Sequence, residues 1–313
     1  MPETPIHDLI IVGGGPGGFT ASIYAQRAAL HTLLIEKGAA GGQLNNTNEV
    51  ENWPGTEKIS GPDLALKFKE HATAYGLNIL TSEVAAVEPG LEYHTVRLDN
   101  GENLQAHAVI LATGGSPRKL GIPGEAEQHG RGVSYCAVCD GFFFRDKNVV
   151  VVGGGDSALE ESLYLAKLAR QVFIAHRRDA FRAGMILQKR VAREKRITVL
   201  WNTVLTEITA DSRGVNGVVT RDTQSGEEKT VATDGVFVFI GFEPNNSLVP
   251  AGIRLNANGH VITDEKCETN TPGIFAIGDL REKYARQIVT AAGDGCIAAL
   301  AAAHYVEARK AAP

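Results

Sequence analysis

The sequence predicts an α/β protein of two domains, with the second domain inserted into the first. Two observations carry this prediction. A unit of strand, glycine-rich loop, helix and strand occurs twice, at residues 6–37 and 148–178, and its length of about 30 residues is that of one βαβ crossover. Two segments rich in proline or glycine, at 116–124 and 241–246, lie where the chain would leave the first domain and return to it.

The individual strands follow from short apolar runs. The first unit contains runs at 9–12 and 32–36, and the second contains runs at 148–152 and 171–176. Turn residues at 99–101 predict a hairpin between the units. Further apolar strands and an Ala-rich helix complete the pattern, at residues 108–112, 236–240 and 274–303.

The connecting segments set the expected domain boundaries. The first connection contains Pro117 and Pro123. We therefore predict a first domain of residues 1–117 and 247–313, and an inserted domain of residues 118–246.

Composition and charge exclude some classes of function. The chain has 31 Lys and Arg against 36 Asp and Glu, a formal net charge of −5, which argues against a nucleic-acid-binding protein. No apolar run approaches the roughly 18 residues that span a bilayer, so no membrane association is expected. A cytoplasmic location is expected, where stable disulfides are uncommon. A close pair of cysteines in that compartment is more often catalytic or metal-binding than structural.

The first glycine loop has the pattern G-x-G-x-x-G. Gly13 makes the tight turn, Gly15 lets the backbone approach a pyrophosphate, and Gly18 allows close packing of helix and strand, with Pro16 between them. The following helix offers free N–H groups to phosphates. Glu36 ends the second strand, where a ribose-binding carboxylate is expected. These features indicate a Rossmann-like site for a nucleotide with a free ribose.

The second glycine loop begins 140 residues after the first and predicts a second Rossmann-like domain. Its expected binding residues are Gly153, Gly155, Asp156, Ser157 and Ala158. No acid stands at the position that corresponds to Glu36. Basic residues stand there instead, namely His176, Arg177, Arg178 and Arg182. Guanidinium groups bind a 2′-phosphate through charge-assisted hydrogen bonds, which favours NADP(H) over NAD(H).

The cysteine pair is a C-x-x-C motif, Cys136 and Cys139, followed at once by Asp140. Zinc explains it poorly, because no second pair exists and no histidines have ligand spacing. Two thiols at this spacing can close and reopen a small ring, which suits thiol–disulfide exchange. Asp140 is placed to move a proton to or from a thiolate, although a role as a turn or cap residue is an equal alternative.

Together these residues resemble the low-molecular-weight thioredoxin reductases of bacterial type. The resemblance covers nearly the whole chain. Its most specific elements are the C-x-x-C-D placed before the second loop and the His-Arg-Arg-x-x-x-Arg run. The other matching motifs are the first glycine loop with Glu36, Gly41 to Leu44, Glu49 to Gly55, Ala112 to Gly114, Gly153 to Glu161, Gly278-Asp279 and Arg286-Gln287.

The resemblance implies a flavoprotein that binds FAD in the first domain and NADPH in the inserted one. Cys139 would face the flavin, Cys136 would attack the disulfide of thioredoxin, and Asp140 would be the acid. The family suggests a homodimer. We also expect the domains to rotate between steps, because the cysteine pair and the second glycine loop share the inserted domain while the flavin belongs to the other. The residues implied for FAD are Gly13, Gly15, Pro16, Gly18, Glu36, Gly42, Gln43, Asn52, Asp279, Arg286, Gln287 and Ile288.

Other functions remain open at this level. A related flavin enzyme could act on a small dithiol compound. An oxidase variant or a ferredoxin-fed variant would not need the arginine cluster. A nucleotide-responsive regulatory protein could keep the fold without the chemistry, but the intact cysteine pair argues against it.

Overall fold

The computed structural model describes residues 6–47 and 50–311, so Glu49, at the start of one motif, lies outside the described residues. The chain divides into two compact units. Unit 1 contains Met1–Ser116 and Glu243–Pro313, and unit 2 contains Pro117–Phe242. The boundaries expected from the sequence follow residues 117 and 246, and those of the structure follow residues 116 and 242.

The elements alternate between strands and helices along much of the chain. The strands are β1 (Ile6–Val12), β2 (Thr32–Glu36), β3 (Asn78–Thr81), β4 (Val84–Glu88), β5 (His94–Leu98), β6 (Asn103–Leu111), β7 (Gly115–Pro117), β8 (Val133–Ser134), β9 (Asn148–Gly153), β10 (Gln171–Ala175), β11 (Ile197–Leu200), β12 (Thr203–Asp211), β13 (Gly214–Asp222), β14 (Glu228–Ala232), β15 (Gly235–Phe239), β16 (Phe242–Pro244) and β17 (Ile274–Ala276). The α-helices are α1 (Pro16–Arg27), α2 (Gly61–Ala74), α3 (Ala137–Asp140), α4 (Asp156–Leu165), α5 (Met185–Arg193) and α6 (Ile288–Ala311). Short 3₁₀ helices occupy Gly42–Asn46, Gly141–Phe144 and Gly278–Leu280.

Unit 1 is built on one sheet in the order β3-β2-β1-β6-β5-β4, with β17 also paired to β6. The pairs β1–β2, β1–β6 and β6–β17 are parallel, whereas β5 runs antiparallel to β4 and β6. Helices α1 and α6 pack over one face, where buried side chains such as Phe19, Ile110 and Ala299 form a core. Parallel strands covered on both faces read as continuous apolar runs, as at Leu9–Val12.

Unit 2 has a five-stranded parallel sheet in the order β11-β10-β9-β15-β8. Its central strand β9 is almost entirely valine and is buried. A separate antiparallel sheet, β12-β13-β14, was not expected from the sequence. The strands β7 and β16, at which the chain passes between the units, form a two-stranded sheet. The α/β class with two Rossmann-like sheets is confirmed.

Helix α6 is the one described helix long and apolar enough, by length and composition alone, to cross a membrane. Its Ala298, Ala299 and Ala302 are buried against α1 and the sheet of unit 1. A core helix passes the same length and composition test, and the burial of these alanines identifies α6 as such a helix.

Candidate active site

The two cysteines of the C-x-x-C motif form a disulfide in unit 2, with Cα atoms 5.3 Å apart. Strand β8 ends at Ser134, and α3 begins three residues later at Ala137, with Cys136 as its N-cap. The Cys136 Sγ accepts a hydrogen bond from the Cys139 N–H at 3.2 Å. A hydrogen bond of this kind would stabilise a thiolate on Cys136 if it persists once the pair is reduced.

Asp140 ends α3 and lies partly buried beside the pair. Its Oδ2 accepts a hydrogen bond from the Ser134 hydroxyl at 2.5 Å. Burial raises the pKa of the Asp140 carboxyl above its ordinary value of 3.8, and the Ser134 hydrogen bond and nearby His129 oppose that shift. A raised pKa keeps the proton on the carboxyl closer to neutral pH, as a proton donor to a thiolate requires.

Glu125 ties the residue before the first cysteine to the connecting segment. Its side chain is buried, and its Oε1 accepts hydrogen bonds from the Tyr135 hydroxyl at 3.0 Å and the Leu120 N–H at 2.8 Å. Its Oε2 accepts from the Gly121 N–H at 2.7 Å. Burial raises the pKa of the Tyr135 phenol, and the hydrogen bond and charge of Glu125 raise it further. The phenol therefore stays protonated and donates the hydrogen bond.

The other two cysteines are free thiols. Cys267 is fully buried, and burial raises its pKa to about 12, so it is not a nucleophile at neutral pH. Across residues 6–47 and 50–311, no group of three or more His, Cys, Asp or Glu side chains is placed to hold a metal ion.

The first glycine loop joins β1 to α1. Gly13 has a φ of +113°, and a Cβ there would collide with the Ala112 carbonyl oxygen. A Cβ on Gly15, by contrast, would have no atom within 4 Å. Gly15 is also the N-cap of α1 and makes no side-chain capping bond. No side chain caps the N-terminus of α1, so the N–H groups of its first turn after Pro16 can receive an anion.

Glu36 reaches this loop because β1 and β2 are parallel, with Val12 beside Ile35. Its Oε2 accepts a hydrogen bond from the Gly14 N–H at 2.7 Å, and its Oε1 accepts from the Gly38 N–H at 3.0 Å. Each carboxylate oxygen can accept a second bond, so Glu36 can also bind a ribose hydroxyl.

Gly18, Gly42 and Gln43 lie around the same loop. A Cβ on Gly18 would collide with a backbone carbonyl of the loop, which explains the close packing of α1. Gly42 has a φ of +58°, and a Cβ there would lie 3.4 Å from the Gly15 Cα. The Gln43 Nε2 donates to the Gly115 carbonyl at 3.1 Å. The structure thus brings these expected flavin-site residues together.

Three more expected flavin-site residues lie in unit 1. The Asn52 Nδ2 donates to the Gln287 Oε1 at 3.1 Å, although the two residues are 235 positions apart in sequence. Ile288 begins α6 and packs against the small apolar cluster that includes Leu44.

Asp279 lies in the 3₁₀ helix Gly278–Leu280. Burial raises the pKa of its carboxyl, and the charges of Lys283 and Arg286 oppose this shift. The Arg286 Nη2 lies 2.9 Å from the His260 Nε2. Burial and then Arg286 lower the pKa of His260, so its neutral ring accepts this bond. A desolvated carboxylate such as Asp279 is stabilised by hydroxyl donors.

Asp294 on α6 holds the segment that carries Asp279. Its side chain is 10% exposed and accepts three hydrogen bonds. The donors are the Gly278 N–H at 3.0 Å, the Arg281 guanidinium at 3.0 Å and the Lys283 ammonium at 2.8 Å. The position of Asp279 therefore depends on a buried charge cluster.

The second glycine loop repeats the first. Strand β9 ends at Gly153, and Gly155 is the N-cap of α4 without a side-chain capping bond. A Cβ on Gly155 would have no atom within 4 Å. Ser157 is exposed and Ala158 is buried beneath the loop. The Asp156 Oδ1 accepts from a backbone N–H at the start of α5, at 2.7 Å, so Asp156 orders the loop.

His176 and the arginines that follow it lie in different environments. The His176 Nδ1 and Nε2 each lie 3.0 Å from a backbone carbonyl oxygen, those of Gly153 and Ala180. His176 therefore supports the loop from beneath. The three basic residues beside it are exposed and, within the described residues, form no ion pair: Arg177, Arg178 and Arg182.

Sequence reasoning missed Ser134, Glu125 and Asp294. Asp294 carried a signal, because it is an isolated acid in an otherwise apolar helical pattern at 288–303. Ser134 and Glu125 carried none, because their partners are set by how the chain turns around Cys136.

Comparisons with known proteins agree with this geometry. A sequence model of the pyridine nucleotide-disulphide oxidoreductase family matches residues 7–295. The chain is 49% identical over 308 residues to a thioredoxin reductase of Bacillus subtilis (strain 168), covering 98% of this chain and 97% of that protein.

Two solved structures have nearly the same sequence identity to this chain but superpose on it to different extents. A thioredoxin reductase from Streptococcus pyogenes MGAS5005 is 43% identical, with a TM-score of 0.94 and coverage of 98% of this chain and 100% of that one. A Lactococcus lactis thioredoxin reductase, described as in the FR conformation, is 44% identical, with a TM-score of 0.66 and coverage of 96% and 99%. The chain therefore belongs to the pyridine nucleotide-disulphide oxidoreductase family, and within it to the low-molecular-weight thioredoxin reductases.

Proposed function

We propose that this chain is an NADPH-dependent thioredoxin reductase that binds FAD in unit 1 and NADPH in unit 2. The observation that carries the proposal is the Cys136–Cys139 disulfide, with Asp140 on the same short helix, in the unit that holds the second glycine loop. The similarity to thioredoxin reductases supports oxidised thioredoxin as the substrate.

The residues of unit 1 fit FAD. The open N-terminus of α1 at Gly15 suits a pyrophosphate, because that end of the helix presents free N–H groups and a positive dipole. Glu36 suits the ribose of the adenosine half. Asp279 suits the ribityl hydroxyls, which would supply the donors that a desolvated carboxylate needs. Gln43 and Asn52 would line the flavin.

The residues of unit 2 fit NADPH. The N-terminus of α4 at Gly155 has the same open geometry as that of α1. Arg177, Arg178 and Arg182 stand beyond β10 with no carboxylate partner among the described residues, so a 2′-phosphate would supply the missing negative charge. His176, and not an acid, stands directly after β10 at the position that corresponds to Glu36, so the ribose diol of NADH would lack its usual acceptor there, which favours NADPH over NADH.

When bound, FAD accepts a hydride from NADPH and supplies the two electrons that break the Cys136–Cys139 bond. Reduction leaves one thiol and one thiolate after uptake of one proton. The Cys136 thiolate, stabilised by the Cys139 N–H, attacks the disulfide of thioredoxin and forms a mixed disulfide. Cys139 then attacks the Cys136 sulfur and re-forms the intramolecular disulfide, and the proton of its thiol passes to the second thioredoxin sulfur as reduced thioredoxin leaves.

Asp140 supplies the proton during this exchange. The first sulfur that leaves thioredoxin departs as a thiolate, and a carboxyl group with a raised pKa can protonate it. The electron pair of the Asp140 O–H bond stays on the carboxylate, which regains a proton when the dithiol is next reduced.

We also propose that the units rotate between steps. Hydride transfer needs the nicotinamide within about 3–3.5 Å of the flavin, and disulfide reduction needs Cys139 at a similar range, so one fixed arrangement cannot serve both. Two relatives of nearly equal sequence identity, 43% and 44%, superpose on this chain with TM-scores of 0.94 and 0.66. This difference supports such a movement.

The proposed assembly is a homodimer in the cytoplasm, without nucleic acid or membrane. Val289, Ile297 and Leu300 on α6 are between 43% and 46% exposed, and Tyr24 on α1 is 36% exposed. Apolar side chains left exposed on adjoining helices favour contact with a second copy.

The direct test is reduction of thioredoxin by the purified yellow protein with NADPH, and with NADH as the control. The proposal expects rapid turnover with NADPH and little with NADH. Replacing either cysteine by serine should abolish turnover while NADPH still reduces the flavin. Full turnover in a cysteine variant, or equal rates with the two coenzymes, contradicts the proposal.

A further inference from the structure

The Ser134 hydroxyl has an unusual set of neighbours. Its Oγ lies 2.5 Å from the Asp140 Oδ2 and 3.2 Å from the Cys136 carbonyl oxygen. It also accepts a hydrogen bond from the Cys136 N–H at 3.1 Å. Ser134 is 3% exposed, so water does not compete freely for these contacts. A single hydroxyl hydrogen therefore has two possible acceptors.

These contacts satisfy every group when Asp140 is ionised. The Ser134 O–H then donates to the Asp140 Oδ2, and its oxygen accepts from the Cys136 N–H. The Cys136 carbonyl oxygen still has a partner, because it accepts from the Asp140 N–H at 3.1 Å. The Ser134 hydroxyl, the Asp140 Oδ2, the Cys136 N–H and the Cys136 carbonyl oxygen each have a partner.

They also satisfy every group when Asp140 is protonated. The Asp140 O–H then donates to the Ser134 oxygen, which accepts from the Cys136 N–H with its second lone pair. The Ser134 hydrogen turns to the Cys136 carbonyl oxygen, which has two lone pairs and can accept two bonds. No heavy atom has to move between the two states.

We propose that Ser134 is a positioning residue for Asp140, whose hydroxyl turns between the Asp140 carboxylate and the Cys136 carbonyl oxygen as Asp140 loses and regains its proton. This inference rests on the proposed role of Asp140 as the acid in thiol–disulfide exchange. In that step the proton passes from Asp140 to the leaving sulfur and the Ser134 hydrogen turns toward the new carboxylate. No electrons are transferred between Ser134 and its partners.

The other charged groups around Asp140 come from several elements. His129 precedes β8, and its charge lowers the pKa of Asp140. Lys119 and Glu125 act in turn on His129, in opposite directions. Glu161 on α4 accepts from the backbone of Ala137 at the start of α3, and burial raises its pKa.

The two thiols complete the set. Their charge depends on the redox state, so the oxidised enzyme is the form in which no thiol titrates beside Asp140.

The test is an infrared titration of the oxidised FAD-loaded enzyme, in which the carboxyl stretch of Asp140 is isolated by subtracting the spectrum of Asp140→Asn. In Ser134→Ala the ionised carboxylate loses a charge-assisted donor, whereas the protonated form loses only a neutral partner. We therefore expect the pKa of Asp140 to rise by about one pH unit. In single turnover with pre-reduced enzyme, the rate of thioredoxin reduction by Ser134→Ala should then decline at a pH about one unit higher than in the unaltered enzyme.

Ser162→Ala is the matched control. Ser162 is another buried serine of unit 2, and its hydroxyl donates to the Ala158 carbonyl at 2.6 Å, so its loss should leave Asp140 unchanged. Ser134→Thr retains the hydroxyl and should titrate like the unaltered enzyme. An unmoved titration in Ser134→Ala overturns the proposal. This titration needs neither NADPH nor thioredoxin, so it is decided separately from the proposed function.

The unaltered enzyme gives a second test should Ser134→Ala fail to fold. Crystal structures at pH values below and above the Asp140 midpoint should both keep the Ser134 Oγ within hydrogen-bond distance of Asp140 and of the Cys136 carbonyl oxygen. Loss of either contact at one pH contradicts the proposal.

Discussion

Asp294→Asn should destabilise unit 1 and weaken its hold on FAD. Asp294 forms ion pairs with two cations, and its carboxylate oxygens lie 3.0 Å from the Arg281 guanidinium and 2.8 Å from the Lys283 ammonium. The side chains of these three residues are only 10% to 16% exposed. Removing the acid leaves both cations without their partner and frees the segment that carries Asp279.

The size of the effect follows from that burial. Removing one partner of a buried ion pair costs about 3–5 kcal/mol, because the remaining charge stays desolvated. The amide oxygen of Asn can still accept from the Gly278 N–H, so we expect the lower end, about 3 kcal/mol. For a unit of this size each kcal/mol lowers the melting temperature by about 2–4 °C, which gives a loss of about 6–12 °C.

Differential scanning calorimetry of the FAD-loaded protein measures the loss, and flavin fluorescence on dilution measures FAD release. Glu88→Gln is the matched control in unit 1. It breaks an ion pair with Arg97 at 3.1 Å whose side chains are half exposed, and it should cost no more than about 1 kcal/mol. If Asp294→Asn has the same melting temperature as Glu88→Gln, or retains FAD as tightly as the unaltered protein, the reasoning is wrong.

Three further predictions use other parts of the molecule. The double change Arg177→Ala, Arg178→Ala should reduce the preference for NADPH over NADH by about 10²- to 10⁴-fold in kcat/KM, since two charge-assisted bonds are lost; an unchanged ratio contradicts the assignment. Asp140→Asn should raise the melting temperature at neutral pH while slowing thioredoxin reduction. Because folding raises the pKa of Asp140, its ionisation costs stability as pH rises, so the gain should vanish below about pH 4 and grow above it. Leu300→Glu should yield monomers in sedimentation velocity, whereas Leu91→Glu, at a 97% exposed position, should not; dimers of both variants would place the interface elsewhere.

The nucleotide loops could be predicted because their requirements are local. Gly13 has a left-handed φ, which favours glycine, and the absence of a side chain at Gly15 leaves the space beside the backbone open for a ligand. The glycines in the sequence therefore indicate the geometry of the loop. Glu36 could be predicted as well, because the parallel pairing of β1 and β2 fixes where the second strand ends.

Other features depend on tertiary contacts that leave no such pattern. The antiparallel sheet β12-β13-β14 has no glycine loop or motif to mark it. Nothing in the sequence indicates that the ring nitrogens of His176 face carbonyl oxygens under the loop, and its contact with the coenzyme stays a prediction. Ser134 acts only because α3 turns back beside β8, which places residues six positions apart within hydrogen-bond distance.

Trapping of the mixed disulfide tests the central claim most directly. Thioredoxin that lacks its resolving cysteine and carries thionitrobenzoate on the other is mixed with each serine variant, and the covalent product is identified by mass spectrometry. We expect Cys139→Ser to form a stable mixed disulfide through Cys136, with release of thionitrobenzoate. Cys136→Ser should form it far more slowly. If Cys136→Ser forms the adduct as fast as Cys139→Ser, then Cys136 is not the attacking sulfur, and the proposed order of electron transfer is contradicted.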